Sequence, residues 1–194
     1  MKKLLLSAFA VCAFSFSNAQ ETKSAGFSKG DTFLSGAFET DVEWSGDDYN
    51  NEYVAAVKVG HFVTNNIALG AKVGFVSDDT NDATGVDIDN TNLTLGAFGR
   101  YYATPSTKFS IFGELGFDYS KTENKLINTK ADKFEVAFAP GISYFVSKSL
   151  ALEATYGLFN YSTSKPDASG AESTDSFNLG LSSSDLSLGI VFKF

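Results

Sequence analysis

Seven charged side chains in alternating segments are the residues of this sequence best suited to chemistry. They are Glu39, Lys58, Lys72, Arg100, Glu114, Glu135 and Glu153. Two carboxylates held close together can divide acid and base roles between them. Here cations are interleaved with the acids, and buried charges must be paired, so we expect an ion-paired polar network. An ion pathway or gate built from the same residues is the functional alternative.

The sequence gives little support to metal binding, to disulfide formation or to nucleic-acid binding. Cys12 is the only cysteine, and it lies in an N-terminal apolar run, so the rest of the chain can form no internal disulfide or cysteine metal cluster. The acidic stretch from Ser77 to Asp89 lacks the ordered spacing of an EF-hand. Weak binding of Ca²⁺ or Mg²⁺ there is the alternative to a solvated loop. The net charge of −8 argues against a nucleic-acid partner. We expect no metal site and no cofactor.

The first 19 residues have the pattern of an export signal. Lys2 and Lys3 precede an uncharged apolar run, and Ser17-Asn18-Ala19 then offers small residues before a cleavage point. The apolar run is too short to span a bilayer core of about 30 Å as a helix. We therefore predict a signal peptide over residues 1–19 and one domain over residues 20–194.

The elements that position the charged residues are strands, because apolar residues recur at every second position. Three short turns and four longer polar connections alternate between them, which predicts an antiparallel up-and-down meander. A break or bulge is expected near residues 182–184, since Phe177–Leu181 alternates in the opposite parity. The predicted strands are Phe33–Trp44, Glu52–Val63, Ile67–Ser77, Thr91–Ala103, Lys108–Ser120, Phe134–Val146, Leu150–Tyr161 and Asp185–Phe194.

Two features indicate that the apolar face of these strands points outward. The charged face is rich in glycine and alanine, which weaken a solvent-exposed strand but fit the crowded interior of an eight-stranded barrel. The apolar face has aliphatic residues in mid-strand and aromatic residues toward both ends, as at lipid–water interfaces. Leu95, Ile111 and Leu152 should then face lipid. The alternative is a soluble periplasmic ligand-binding barrel with its apolar face inside.

His61 is the only histidine, and it could serve an enzyme only beside a serine or a carboxylate. Its strand places it on the apolar face near the short turn Thr64–Asn66. A lipid-modifying enzyme would need its catalytic group at the opposite rim. We therefore predict no catalytic residue and no enzymatic activity.

The end of the chain resembles the C-terminal targeting signal of bacterial outer-membrane barrels, through Ser187, Gly189, Phe192 and Phe194. The chain as a whole resembles the small outer-membrane β-barrel proteins related to OmpX and the OmpA barrel. Besides the last strand, the resemblance rests on Val59–Gly70, Arg100–Tyr102 and Ala139–Phe145. His61 departs from the family, where an aromatic residue is more usual. Pro140 should cause a local kink or bulge, because it removes one ladder hydrogen bond.

The resemblance implies an all-β, eight-stranded antiparallel up-and-down transmembrane β-barrel in the bacterial outer membrane. Both termini would lie in the periplasm and the long loops outside the cell. We expect a structural or surface-interaction role with the lumen plugged by the charged network; the alternative is a narrow porin-like channel for ions or small solutes. The expected partners are outer-membrane lipid and lipopolysaccharide, and the barrel-assembly machinery and periplasmic chaperones during biogenesis. The expected state is a monomer.

Overall fold

The computed structural model describes residues 25–45, 48–81, 87–124, 129–167, 170–180 and 186–194. Within these ranges it has no helix with the length and apolarity needed to cross a bilayer. The strands of the described ranges are β1 (Thr32–Ser45), β2 (Asp48–Phe62), β3 (Ile67–Asn81), β4 (Asp87–Tyr102), β5 (Phe109–Asn124), β6 (Thr129–Phe145), β7 (Leu150–Tyr156), β8 (Phe159–Pro166), β9 (Thr174–Leu179) and β10 (Leu186–Lys193).

These strands close into a barrel. Each of β1 to β6 pairs with the next in antiparallel fashion, and β10 pairs with both β7 and β1. The first half of β6 pairs with β8 and its second half with β7, so β7 and β8 are two halves of one wall strand. Likewise β10 lies beside β7 and β9 beside β8. The wall therefore has eight strands, which confirms the predicted fold class.

A bulge separates β7 from β8. Gly141 pairs with Thr155 and Phe138 pairs with Phe159, so three steps along β6 face four steps along the other strand. Pro140 lies in this interval and offers no N–H to the ladder. The kink expected at Pro140 thus takes the form of an extra residue in the facing strand, while pairing of β6 with β5 continues without interruption.

The bulge reverses which residues face outward. In β7 the exposed residue is Leu152 and Glu153 is buried, whereas in β8 Tyr161 is exposed and Ser162 is buried. The prediction of one uninterrupted strand over Leu150–Tyr161 is therefore wrong in its second half. Phe177 pairs with Tyr161, as the opposite parity of its segment requires. The break expected near residues 182–184 lies outside the described residues.

The polar connections are shorter than predicted. Pairing of β3 with β4 continues to Asn81 and Asp87, and pairing of β5 with β6 continues to Asn124 and Thr129. The predicted connections Asp78–Asn90 and Lys121–Lys133 are therefore mostly strand. Low strand propensity of polar residues suggested loops, but an extended hairpin keeps its backbone hydrogen bonds beyond the apolar band.

The apolar face points away from the lumen, as predicted. Leu95, Ile111 and Leu152 are 51%, 53% and 50% exposed, and they form the outer surface with other aliphatic residues. Phe117 and Phe134 lie exposed toward the long-loop end, and Tyr101, Phe109 and Tyr144 toward the short-turn end. The side chains of Trp44 and Tyr53, predicted for the same belt, lie outside the described part. A lipid-facing apolar band bordered by aromatic residues is typical of membrane barrels.

Glycines on the lumen face give room to large rings on neighbouring strands. Gly60 is the register partner of Phe33, Gly70 of Phe98, and Gly141 of Phe112. In each pair a Cβ built on the glycine would collide with the ring. On the lumen face, each of these small residues therefore packs beside a large aromatic ring of the neighbouring strand.

Gly70→Ala is expected to destabilise the folded barrel by about 1–3 kcal/mol, the usual cost of overpacking a filled interior. The added Cβ would collide with the Val59 carbonyl oxygen, which belongs to the backbone and cannot swing away. Gly74 lies on the same face of β3, and its Cβ would meet only Thr94, at an ordinary 3.6 Å. Gly74→Ala is the control and should be neutral or mildly stabilising. Urea unfolding in lipid vesicles measures both, and equal effects would contradict the packing argument.

Candidate functional site: the barrel lumen

Four of the predicted charged residues meet in mid-lumen, one each from β2, β4, β5 and β7. Lys58 Nζ lies 2.7 Å from Glu114 Oε1, and Arg100 Nε lies 2.5 Å from Glu114 Oε2. Arg100 Nη1 donates to both oxygens of Glu153, at 3.0 and 2.8 Å. It also donates to the Tyr102 hydroxyl at 3.0 Å. Arg100 thus joins two carboxylates across the lumen. We call this set, Lys58, Arg100, Tyr102, Glu114 and Glu153, the charged layer.

Two further predicted charges, Lys72 and Glu135, pair outside the charged layer. Lys72 Nζ pairs with Asp118 Oδ2 at 2.6 Å, and Glu135 Oε2 pairs with Lys133 Nζ at 2.5 Å. Lys72 is the register partner of Lys58. The two neighbouring ammonium groups form ion pairs with different carboxylates, Lys72 with Asp118 and Lys58 with Glu114. The side chain of Glu39 lies outside the described part. Asp118 was not among the predicted site residues, although it shares the parity of Glu114 on the same strand.

Below the charged layer, toward the short turns, the lumen is filled by aromatic rings. Phe27 is 2% exposed, and its ring centroid lies 4.7 Å from that of Phe62, 4.8 Å from Phe145, 5.3 Å from Tyr102 and 5.6 Å from Phe33. These distances fall in the range of favourable ring–ring contacts. We call these five residues the aromatic layer. Tyr102 belongs to both layers.

The segment before β1 carries Phe27 into the lumen. The Phe27 N–H donates to the Pro105 carbonyl at 2.6 Å, and Lys193 Nζ donates to the Gly26 carbonyl at 2.5 Å. Lys193 also lies 3.7 Å from Asp31 Oδ2. Gly26 has a φ of 115°, and a Cβ there would meet the backbone of Ser106 at 2.5 Å, so this crossing favours glycine. The segment therefore closes the short-turn end of the barrel.

Sequence reasoning missed this closure. The segment from Ala25 to Asp31 shows no alternation that would assign it to the wall. Two signals were present: Lys193 lies on the charged face of the last strand, and Asp31 is the charge that precedes β1. Phe33 and Phe62 also have lumen parity, which the charged and small residues of that face obscured.

A small polar cavity lies beside the charged layer. Its volume is about 30 Å³, and its lining includes Ser35, Lys58, Arg100, Glu153 and Ser187. That is room for one or two water molecules. The cavity is far smaller than a solute pathway.

The four residues of the predicted C-terminal signal have different surroundings. Ser187 and Gly189 line the small cavity, and Gly189 is the register partner of Glu153. Phe192 is 37% exposed on the outer face, and its ring centroid lies 5.3 Å from that of Phe194. The Phe194 N–H donates to the Thr32 carbonyl at 2.9 Å, which ties the last residue to β1.

His61 lies on the outer face at the short-turn end, where the sequence placed it. Its Nδ1 is 3.0 Å from Thr32 Oγ1, and the residue is exposed. The acidic side chains between Asp78 and Asp89 lie outside the described part. Among the described residues no group of three or more His, Cys, Asp or Glu side chains is placed to hold a metal ion.

Comparison with known proteins points in one direction. The family described as outer membrane protein beta-barrel domain matches residues 5–194. No curated protein matches the chain significantly.

Several solved structures share the fold at low sequence identity. OprG from Pseudomonas aeruginosa superposes with a TM-score of 0.56 at 14% identity, over 88% of this chain and 98% of that one. Outer membrane protein W of E. coli gives 0.52 at 13%, over 86% and 99%. Neisserial surface protein A gives 0.50 at 15%, over 87% and 99%. At such identities the likeness concerns the fold alone.

Proposed function

Because the chain belongs to the outer membrane protein β-barrel domain family and is a protein of the bacterial outer membrane, we propose that its barrel is closed to solutes and that it has a structural or surface-interaction role. The observation that carries this proposal is the aromatic layer, in which Phe27 lies among the rings of the lumen. A narrow eight-stranded barrel leaves an interior that side chains alone can fill.

Two barriers in series support the proposal. A solute passing along the lumen would have to displace Phe27 from its neighbours and separate Arg100 from Glu114 or Glu153. Removing one partner of a buried ion pair costs about 3–5 kcal/mol, because the other charge remains uncompensated. Moving a ring out of a packed cluster adds the loss of its buried apolar surface. Each barrier alone would make open states rare.

A narrow channel is the second candidate, and the small cavity is the observation in its favour. The cavity lies where an ion pathway would have to pass, beside Lys58, Arg100 and Glu153. A rearranged charged layer could extend it. A lumen-lining acid such as Glu153 would then control both conductance and ion selectivity.

The apolar outer face argues against the soluble periplasmic ligand-binding barrel. If the barrel were surrounded by water, half or more of the surface of each of Leu95, Ile111 and Leu152 would be exposed to solvent. We likewise propose no catalytic role for His61, whose hydrogen-bond partner is Thr32 at the short-turn end. In this proposal the outer surface and the loops of the barrel carry out its role.

Planar bilayer recordings test the closed lumen. The wild-type protein should show no steady conductance, and Phe27→Ala and Glu153→Gln should each leave the other barrier in place. The double variant should conduct, since both barriers are then weakened. Phe109→Ala, which changes an aromatic residue on the outer face, is the control. Steady conductance of the wild type that changes in Glu153→Gln would instead establish the channel.

A further inference from the structure

The residues that precede β1 cross the whole width of the barrel at its short-turn end. We call residues 25–31 the strap. The strap joins β1 at Asp31, and at its other end the Phe27 N–H donates to the Pro105 carbonyl at 2.6 Å. Pro105 lies in the turn between β4 and β5, which faces the contact between β10 and β1 across the eight-stranded wall. The strap therefore connects the two opposite sides of the barrel.

The contact between β10 and β1, which we call the seam, is short in the described residues. Its register pairing runs only from Phe33 with Lys193 to Gly36 with Ile190. On its other edge β1 pairs with β2 along its whole length, Thr32–Ser45. A contact with few ladder hydrogen bonds opens at a lower free energy than a long one. The seam is thus a place where the wall would open early.

A single lysine connects the strap to both strands of the seam. Lys193 belongs to β10 and is 4% exposed. Its Nζ donates to the Gly26 carbonyl at 2.5 Å and lies 3.7 Å from Asp31 Oδ2. Asp31 Oδ2 also accepts a hydrogen bond from the Ser28 N–H at 2.9 Å, which holds the turn of the strap. Lys193 can make these contacts only while β10 lies beside β1.

The site that holds the Phe27 ring also depends on a closed wall. Its neighbours in the aromatic layer are Phe33, Phe62, Tyr102 and Phe145. These rings come from β1, β2, β4 and β6, on different sides of the lumen. They converge on Phe27 only when the strands have closed around it.

We propose that the strap couples insertion of Phe27 to closure of the seam. Phe27 enters the lumen only after β10 has paired with β1, and the inserted strap then holds the seam shut. Such coupling is reciprocal, because a strap that binds only the closed seam must stabilise that seam. The coupling concerns the opening of the wall and not the passage of solutes. Conductance of the wild type therefore leaves it intact, and its failure leaves the closed-lumen proposal intact.

Backbone amides that donate across the seam report its opening by hydrogen exchange. The Phe194 N–H donates to the Thr32 carbonyl at 2.9 Å. Hydrogen-bonded pairs alternate along an antiparallel ladder, so Leu34 with Phe192 is the next such pair. Exchange of the Leu34 and Phe192 amides, measured on the full-length barrel in lipid nanodiscs, is the readout.

Gly26→Ala is the first test, because it changes the strap and no residue of the seam. Gly26 has a φ of 115°, and a Cβ there would meet the Ser106 backbone at 2.5 Å, so the strap cannot keep its position. The hydrogen bond from the Lys193 ammonium is then lost. We expect the two seam amides to exchange roughly tenfold faster or more, the usual worth of a hydrogen bond to a charged group. Amides between β3 and β4 should exchange as in the wild type.

Gly170→Ala is the matched control. Gly170 has a φ of 83° and open space around its Cβ position, and it lies between β8 and β9 at the long-loop end. The substitution brings similar backbone strain without touching the strap, so seam exchange should stay unchanged. Unchanged seam exchange in Gly26→Ala, or equal acceleration in Gly170→Ala, would overturn the proposal.

A cross-seam disulfide tests the reverse direction. Ser35 and Val191 are register partners and form a non-hydrogen-bonded pair, in which Cα atoms lie about 4.5 Å apart. That separation suits a disulfide. Ser35→Cys with Val191→Cys, in a Cys12→Ser background, leaves the strap residues unchanged. Oxidation should slow exchange of the Phe27 N–H by roughly tenfold or more, since locking the seam removes the opening that frees the strap.

Reduction of the same variant is the control and should restore the faster exchange of the Phe27 N–H. Equal exchange in the oxidised and reduced forms would show that the strap leaves the lumen without any opening of the seam, and the coupling would be wrong. This measurement does not depend on Gly26→Ala, so it still decides the question if that variant fails to fold.

Discussion

Arg100→Met is expected to destabilise the folded barrel by about 3–5 kcal/mol, because it leaves the buried Glu153 carboxylate without its cation. Glu114 would keep Lys58 at 2.7 Å, but among the residues that the structure describes Glu153 would retain only the Tyr102 hydroxyl, at 3.4 Å. Arg100 also lies over the Phe112 ring, 4.4 Å from its centroid, so the substitution removes a cation–π contact as well. Urea titration of the protein in lipid vesicles, followed by the fluorescence of Trp44, measures the loss.

A compensating variant separates charge from packing. Arg100→Met combined with Glu153→Gln removes the uncompensated charge, since Glu114 keeps its ion pair with Lys58, and should recover most of the lost free energy of unfolding. Lys148→Gln, an exposed charge change at a turn, should shift stability by no more than about 0.5 kcal/mol. A cost below about 1 kcal/mol for Arg100→Met would mean that water solvates Glu153, and the charged layer would then be no barrier.

The direction of the side chains could be predicted because one rule governs the whole wall. Lipid on one side and a crowded lumen on the other impose strict alternation, so Leu95, Ile111 and Leu152 could be assigned without knowing any strand partner. The same alternation placed Lys58, Arg100, Glu114 and Glu153 in the lumen. Alternation fails wherever one residue is added, and the bulge before Phe159 shows this. Pro140 indicated where a bulge was needed, but not that the facing strand would carry it.

Pairing within the lumen could not be predicted, because it depends on register. The distance from Arg100 to Glu153 is set by the relative shift of four strands, which no single segment encodes. Judged from the sequence alone, Lys72 could equally have been assigned to Glu114. In the structure Lys72 pairs with Asp118. The position of Phe27 depends on two contacts between residues distant in the sequence, from Phe27 to Pro105 and from Gly26 to Lys193.

Phe194→Ala is expected to lower the amount of folded protein in the outer membrane several-fold while changing the stability of the refolded barrel little. The end of the chain resembles a C-terminal targeting signal, and on that ground we propose that the assembly machinery recognises Ser187, Gly189, Phe192 and Phe194. In the folded barrel Phe194 is half-buried at the end of the wall and contacts the Phe192 ring, a contact worth about 0.5–1.5 kcal/mol. Loss of that contact is too small to account for a several-fold drop in assembled protein if the barrel is otherwise stable.

Two measurements on the same variants distinguish recognition from stability. Heat-modifiability of the membrane-extracted protein on gels reports how much barrel was assembled in cells, and urea unfolding of protein refolded in vesicles reports its stability. Phe109→Ala removes an outward aromatic residue at the same end of the barrel and outside the proposed signal, so it should assemble normally. Two results would argue against a signal: an equal loss of assembly in Phe194→Ala and Phe109→Ala, or a loss of assembly only in proportion to stability. Either result would mean that the four residues affect assembly only by stabilising the barrel wall, and that they form no separate recognition signal. A selective loss in Phe194→Ala would show that the last strand is recognised before the barrel closes, since Phe194 is tied to β1 only in the folded state.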